Sequence, residues 1–211
     1  MNSRLQRALS VFTERLRVRR ETAPIAEPDE LARFVATRAA FVAQKTLYGY
    51  LKTRMGTRYP SLFEDDVFVR SINIAKHRIY AACLSDLAVF AAAHAYRERP
   101  SEEDARRHLA VRCFTRGLDD NAADAPEEFP RSEVVEEMLA RCAATDWTGA
   151  ALGGEAFSES PRALFRWAPI APELKRFDTD VIANSITFAW HEVRRDLLRR
   201  LDADGIAGPA D

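Results

Sequence analysis

The sequence predicts an all-α fold: a single-domain bundle of about six or seven helices, several of them long, around a central buried helix at about 64–99. Three observations carry that expectation. Only eight of the 211 residues are glycine, and five of those fall at or after position 149. Alanine, leucine, arginine and glutamate dominate, all good helix formers, while runs of alternating β-branched residues are missing. Apolar residues recur instead at spacings of three and four, the period of a helix face. A domain of this length buries about 70% of the surface its unfolded chain exposes, so no metal or disulfide staple is required.

The elements follow in order. Residues 1–20 read as a basic amphipathic helix in which Leu5, Leu9, Phe12 and Leu16 form one stripe among six arginines and a single acid, Glu14. Residues 21–28 read as a linker, 29–203 as the helical bundle domain and 204–211 as a frayed tail. The bundle's first helix starts near Pro28, with Asp29 and Glu30 suited to its positive end. Along it Phe34, Phe41, Tyr48 and Met55 recur every seven residues, as core or as interface. MGTRYP stops it, and Ser61 with Glu64 has the capping-box spacing that opens the central helix. Ser101 and Asp104 repeat that signal for a helix to about 118, followed by an acidic loop and a helix at about 131–144. Residues 146–160, with Gly149, Gly153 and Gly154, read as irregular. Ser160 and Pro161 cap a short helix holding Leu164, Phe165 and Trp167. After Pro172 a last helix runs to about Asp202 on the stripe Ile182, Ile186, Ala189, Val193, Leu197 and Leu201.

The stretch IYAACLSDLAVFAAAHAY, residues 79–96, is apolar on every side of a helix yet contains Asp86 and His94. A membrane span needs about twenty predominantly apolar residues and tolerates charge at its centre poorly. With Asp86 near the middle and charged helical flanks, this is a core helix and not an integral membrane span. A carboxylate there requires a partner, expected from an arginine of the bundle's first or last helix. Asp86 and His94 lie about 80° apart around the helix. Together with Ser85 they are the ligand-pocket candidates.

Other chemistry is thin. The nucleophile elbow, the phosphate-binding loop and the dinucleotide turn are absent. His191-Glu192 begins like a zincin motif, but Arg194 and Arg195 stand where the second histidine is needed, and no E-x-x-H pair exists for a di-iron site. No catalytic residue, metal or cofactor is predicted. Cys83, Cys113 and Cys142 stand singly, an odd set with no C-x-x-C, as expected of reduced thiols in a cytoplasmic protein. A net charge of −1 argues against a nucleic-acid partner for the chain as a whole.

Residues 35–54, VATRAAFVAQKTLYGYLKTR, resemble the recognition region of TetR-type regulators, with Thr46, Leu47, Tyr48, Tyr50 and Lys52 matching in type. The tight-turn glycine of that family is replaced by Ala40, the capping serine is missing and one extra residue intervenes. The resemblance implies a ligand-responsive DNA-binding regulator; a small-molecule-binding protein or hydrolase using a cleft near Asp86 and His94 is a further alternative. The leading expectation is a non-enzymatic adaptor or assembly protein working through helix faces, as a homodimer or with a protein partner. Leu5, Leu9, Phe12, Leu16, Phe165 and Trp167 are its candidate contacts. Residues 1–20 also suit peripheral attachment to an anionic membrane.

Overall fold

A computed structural model describes residues 22–208 except Pro60, Pro100 and Gly154. The basic segment with Leu5, Leu9, Phe12 and Leu16, and the last three residues of the tail, lie outside the described residues. Within them the fold is all-α and single-domain, with nine α-helices, several 3-10 turns and no strand.

Helix α1, Pro28–Met55, begins where proline can occupy the first turn at no cost in hydrogen bonds, and Asp29 and Glu30 follow. It stops at Gly56, which adopts φ 54 and returns its N–H to the Lys52 carbonyl. Leu31, Val35, Val42, Leu47 and Leu51 form its fully buried line, with Phe34 beside them, while Phe41, Tyr48 and Met55 are half-buried at the edge.

Two 3-10 turns lead to α2, Asp66–Ala95. Ser61 and Glu64 do not open the helix as expected, because both residues are taken up in the 3-10 turn Ser61–Glu64 before it. Asp65, in extended backbone, caps the helix instead and accepts from Val67 N–H at 2.8 Å. From Ile79 to Ala95 every residue of α2 is buried except Ala82 and His94, which are half-buried. Helices surround it: α1 and α3 (Glu103–Asp120) flank its length, α4 (Arg131–Ala144) packs on α2 and α3, and α5 (Trp147–Leu152) and α6 (Glu159–Trp167) cover the rest. Helix α3 starts after Glu102 with no side-chain cap, so the Ser101 signal is also unused. Its close approach to α2 rests on Gly117, where a Cβ would lie 2.7 Å from a Leu84 methyl.

The stretch expected to be irregular instead contains α5, capped by Asp146 and closed by Gly153 at φ 87, and a 3-10 turn at Glu155–Phe157. The last helix is interrupted: α7, Pro172–Lys175, is separate from α8, Thr179–Arg200. Asp178 lies between them, pulled into the core by α1. Helix α8 packs on α1 and α6 through the predicted stripe, with Ile182, Ile186, Ala189, Val193 and Leu197 buried. Residues 204–208, expected to fray, belong to α9 (Ala203–Ala207) and the turn after it, capped by Asp202 and held by Arg99 bonds to the carbonyls of Ala207 and Gly208. The expected linker is equally engaged: Ile25 is buried, donates to Arg200 O at 2.8 Å and accepts from Asp202 N–H at 3.0 Å.

Candidate functional site

Asp86 has no solvent-accessible surface, and both of its oxygens are used. Oδ1 accepts from Arg141 Nη1 at 2.8 Å and from the Glu159 amide at 3.1 Å; Oδ2 accepts from the Ser160 amide at 2.8 Å. The two amides are the first N–H groups of α6, which are left without partners inside the helix and carry its positive end. Ser158, the residue preceding α6, makes no side-chain cap. Asp86 therefore caps α6 from another helix. Ser160, expected to be that cap, sits inside α6 and accepts from Trp190 Nε1 at 3.0 Å. The arginine partner comes from α4, not from the first or last helix of the bundle, because α4 and the start of α6 are what cover this stretch of α2.

Arg141 is committed as fully as its acid. It also donates to Ser85 Oγ at 2.8 Å and to the Ala156 carbonyl at 2.9 Å. Ser85 in turn donates to Met138 Sδ at 3.2 Å, so its hydroxyl is held between a guanidinium and a thioether. Burial pushes the Asp86 carboxyl above the ordinary carboxylate value, opposed by Arg141 and by the Ser160 hydroxyl and amide.

His94 lies two turns further along α2 and does not converge with Asp86 on a common space. Its ring stands edge-on to Phe90 at 4.6 Å, in an environment with Arg97 and Arg194. Burial, then those two cations, lower its pKa, and burial chiefly lowers that of His77, whose Nδ1 is 2.9 Å from the Asn73 carbonyl. Both rings are favoured neutral in the fold and accept protons more readily when unfolded, so stability is fully present above about pH 6.5 and falls as pH drops below it. Urea midpoints measured between pH 7 and pH 5 are expected to decline more steeply in the parent than in a His77→Gln/His94→Gln variant, and equal slopes would contradict this.

Two surface features adjoin this core. The first is a cleft of about 470 Å³ between α2, α3, α4 and α6, into which Ser85 and Arg141 open, with Trp167 at its edge. Trp167 is half-buried against the Arg78 and Arg166 guanidiniums, 4.4 and 5.1 Å from its ring. Phe165 points elsewhere, half-buried beneath Lys175. The second feature is the outward side of α8. Phe177, Val181 and Phe188 are 79%, 56% and 72% exposed, and Leu174 before them is 66% exposed. On a helix of 100° per residue, positions 181 and 188 fall within about 20° of each other, and Phe177 lies in the turn just before the helix.

A second buried acid went unsuspected from sequence. Asp178 is 1% exposed and accepts from Tyr50 Oη at 2.6 Å and from Arg54, so it ties α1 to the start of α8. Standing before a helix, it reads as an ordinary cap.

Among the described residues no group of three or more His, Cys, Asp and Glu side chains is placed to hold a metal, and no helix is long and apolar enough to cross a membrane. All three cysteines are free and buried, with burial raising Cys113 to about 12 and Cys142 to about 11. The TetR-like stretch lies inside α1 without a turn, and Thr46 and Leu47 are buried in the core, so neither is presented to a DNA groove.

These features define an all-α bundle with a buried Asp86–Arg141 network, an arginine-lined cleft and exposed apolar residues along α8. No protein-family model, curated protein or solved structure matches the chain.

Proposed function

We propose that this is a non-enzymatic, cytoplasmic interaction protein that works through the outer face of α8, and that this face pairs with a second copy of the chain. The observation that carries the reading is the pair Val181 and Phe188, each more than half exposed on one side of a helix whose other side is already packed, with exposed Phe177 in the turn before it. Exposed apolar surface concentrated in a row marks an interaction site, since the burial of two phenylalanines and a valine against a partner is strongly favourable.

The sequence of α8 supports a second copy as the occupant. The outward line of the helix runs from Val181 through Asn184 and Phe188 to Glu192, all exposed, and exposed Phe177 lies in the turn before it. Antiparallel pairing about an axis at Asn184–Ser185 sets Phe188 of each copy on Val181 of the other, and brings Glu192 to the region of Arg176 and Phe177. Apolar residues then meet apolar ones and an acid meets a base, which is the self-complementarity a two-fold interface requires. The thiols support a reducing compartment, being buried and unpaired.

Sedimentation equilibrium tests the pairing. The full chain is expected to sediment with twice the chain mass at micromolar concentrations, and Phe188→Asp with the mass of one chain at an unchanged melting temperature. A parent that remains monomeric throughout would overturn the reading.

A further inference from the structure

Contact between Val181 and Phe188 of two copies leaves two neighbouring features of the surface unused. The first is the segment that leads into α8. Glu173, Leu174, Arg176 and Phe177 are all exposed, Leu174 at 66% and Phe177 at 79%, although Lys175 and Asp178 among them are buried. Lys175 donates to the Arg166 and Ala168 carbonyls, and Asp178 accepts from Tyr50 and Arg54. The backbone is therefore anchored at two points, and the side chains around those anchors project outward. Phe177 is an apolar projection with the Arg176 guanidinium 4.4 Å from its ring.

The second feature is a groove of about 480 Å³ between α1 and the C-terminal half of α8. Phe41 and Val193 give it an apolar surface. Asp196 on its wall is occupied by Arg38 at 2.9 Å and Arg199 at 2.6 Å. Glu192 and Arg195 on the same wall are exposed and make no ion pair among the described residues. Glu173 and Arg176 beside the projection are likewise exposed and unpaired among them.

The two features complement each other. In antiparallel pairing about Asn184–Ser185, stepping back along one chain is stepping forward along its partner. The residues before α8 of one copy therefore pass the C-terminal half of α8 of the other. Arg176 comes to Glu192, and Glu173, three residues earlier, comes to Arg195, three residues later. Phe177 then stands over the mouth of the groove, of which Glu192 is one rim.

We propose that Phe177 of each copy seats in the α1–α8 groove of the other, against Phe41, with Glu173 on Arg195. The inference rests on the pairing of α8 with a second copy and adds to it a site that neither copy completes alone. Symmetry gives two such contacts, one at each end of the helix pair, with Val181 and Phe188 between them. The charges select a second copy as the occupant, because the unpaired acid and base beside the projection are answered by an unpaired base and acid in the groove. An aromatic side chain set in a partner's pocket is the kind of anchor that dominates interface energetics.

Sedimentation equilibrium of variants at these exposed positions tests the assignment, each variant first shown to have the parent's circular dichroism. Phe177→Ala is expected to raise the dimer dissociation constant about tenfold or more. Glu173→Arg and Arg195→Glu each bring like charges together at both ends of the pair, and each is expected to weaken it about threefold to tenfold. Combining the two reverses the pair of charges and is expected to bring the affinity back close to that of the parent. A dimeric parent whose affinity is unchanged by Phe177→Ala overturns the inference while leaving the Val181–Phe188 contact in place. A combined variant that pairs no more tightly than its single variants overturns it equally. A monomeric parent overturns both the inference and the pairing of α8.

Discussion

Asp86→Ala is expected to lower the unfolding free energy by about 3–5 kcal/mol, read from urea denaturation at neutral pH. The loss is large because three donors are stranded at once. Arg141 keeps its charge in a largely dry site, 16% exposed, and the Glu159 and Ser160 amides lose the carboxylate that accepts from them. Removing the cation as well relieves part of the damage, so Asp86→Ala/Arg141→Met is expected to be more stable than Asp86→Ala alone. That inversion separates a stranded charge from a mere cavity. A single variant within about 0.5 kcal/mol of the parent would show that Asp86 does not hold α4 and α6 to the central helix.

Trp190→Ala is expected to cost about 3–5 kcal/mol by the same measurement. The indole is among the largest fully buried side chains, lies 4.9 Å from the Phe157 ring and donates to Ser160. Trp190→Phe keeps most of the volume and removes the N–H, and is expected to cost about 1–2 kcal/mol. Because Trp190 and Asp86 both grip Ser160, one by its hydroxyl and the other by its amide, their losses are expected not to add. A double-mutant coupling of about 0.5–3 kcal/mol between Asp86→Ala and Trp190→Ala would show it, and strict additivity would contradict the shared contact.

The network these two changes probe was only half legible in the sequence. That α2 is the central helix, and that Asp86 is buried within it, follows from apolar residues on all its sides. The identity of the partner does not follow, because arginines are spread over every helix and only the packing of α4 brings Arg141 to the carboxylate, 55 residues away in the chain. The caps show the same limit. Ser61–Glu64 and Ser101–Asp104 have the right spacing, but a local signal competes with others nearby, and Asp65 in extended backbone wins the start of α2. Asp178 fails in the opposite direction: a residue that looks local is bound by Tyr50 and Arg54, more than a hundred residues away. The break between α7 and α8 follows from that tether.

Helix α8 carries one apolar row whose spacing announces it in the sequence and a second apolar line that the sequence does not mark as bare. Ile182, Ile186, Val193 and Leu197 are strong apolar residues at regular spacing, and they do face the core. Val181 and Phe188 stand seven apart, an equally helical spacing, while Phe177 precedes the helix in a region crowded with prolines and charges. Two apolar lines on one helix mean two covered faces, and only the structure shows that one of them is bare. The cleft was hidden for a different reason. Its arginines come from three helices, and no single segment looks basic, whereas residues 1–20 do. Trp167, a candidate contact, is half-buried at the cleft edge against the Arg78 and Arg166 guanidiniums.

The pairing of α8 with itself is the claim on which the functional account depends, and a disulfide trap at its centre tests it most directly. Asn184 is exposed midway between Val181 and Phe188, and the native thiols are buried, so Asn184→Cys places one reactive sulfur per chain at the proposed two-fold axis. Mild oxidation is expected to convert this variant largely to a covalent dimer, while Leu139→Cys, exposed on α4, stays monomeric under the same conditions. Asn184→Cys that cross-links no faster than Leu139→Cys would contradict the account.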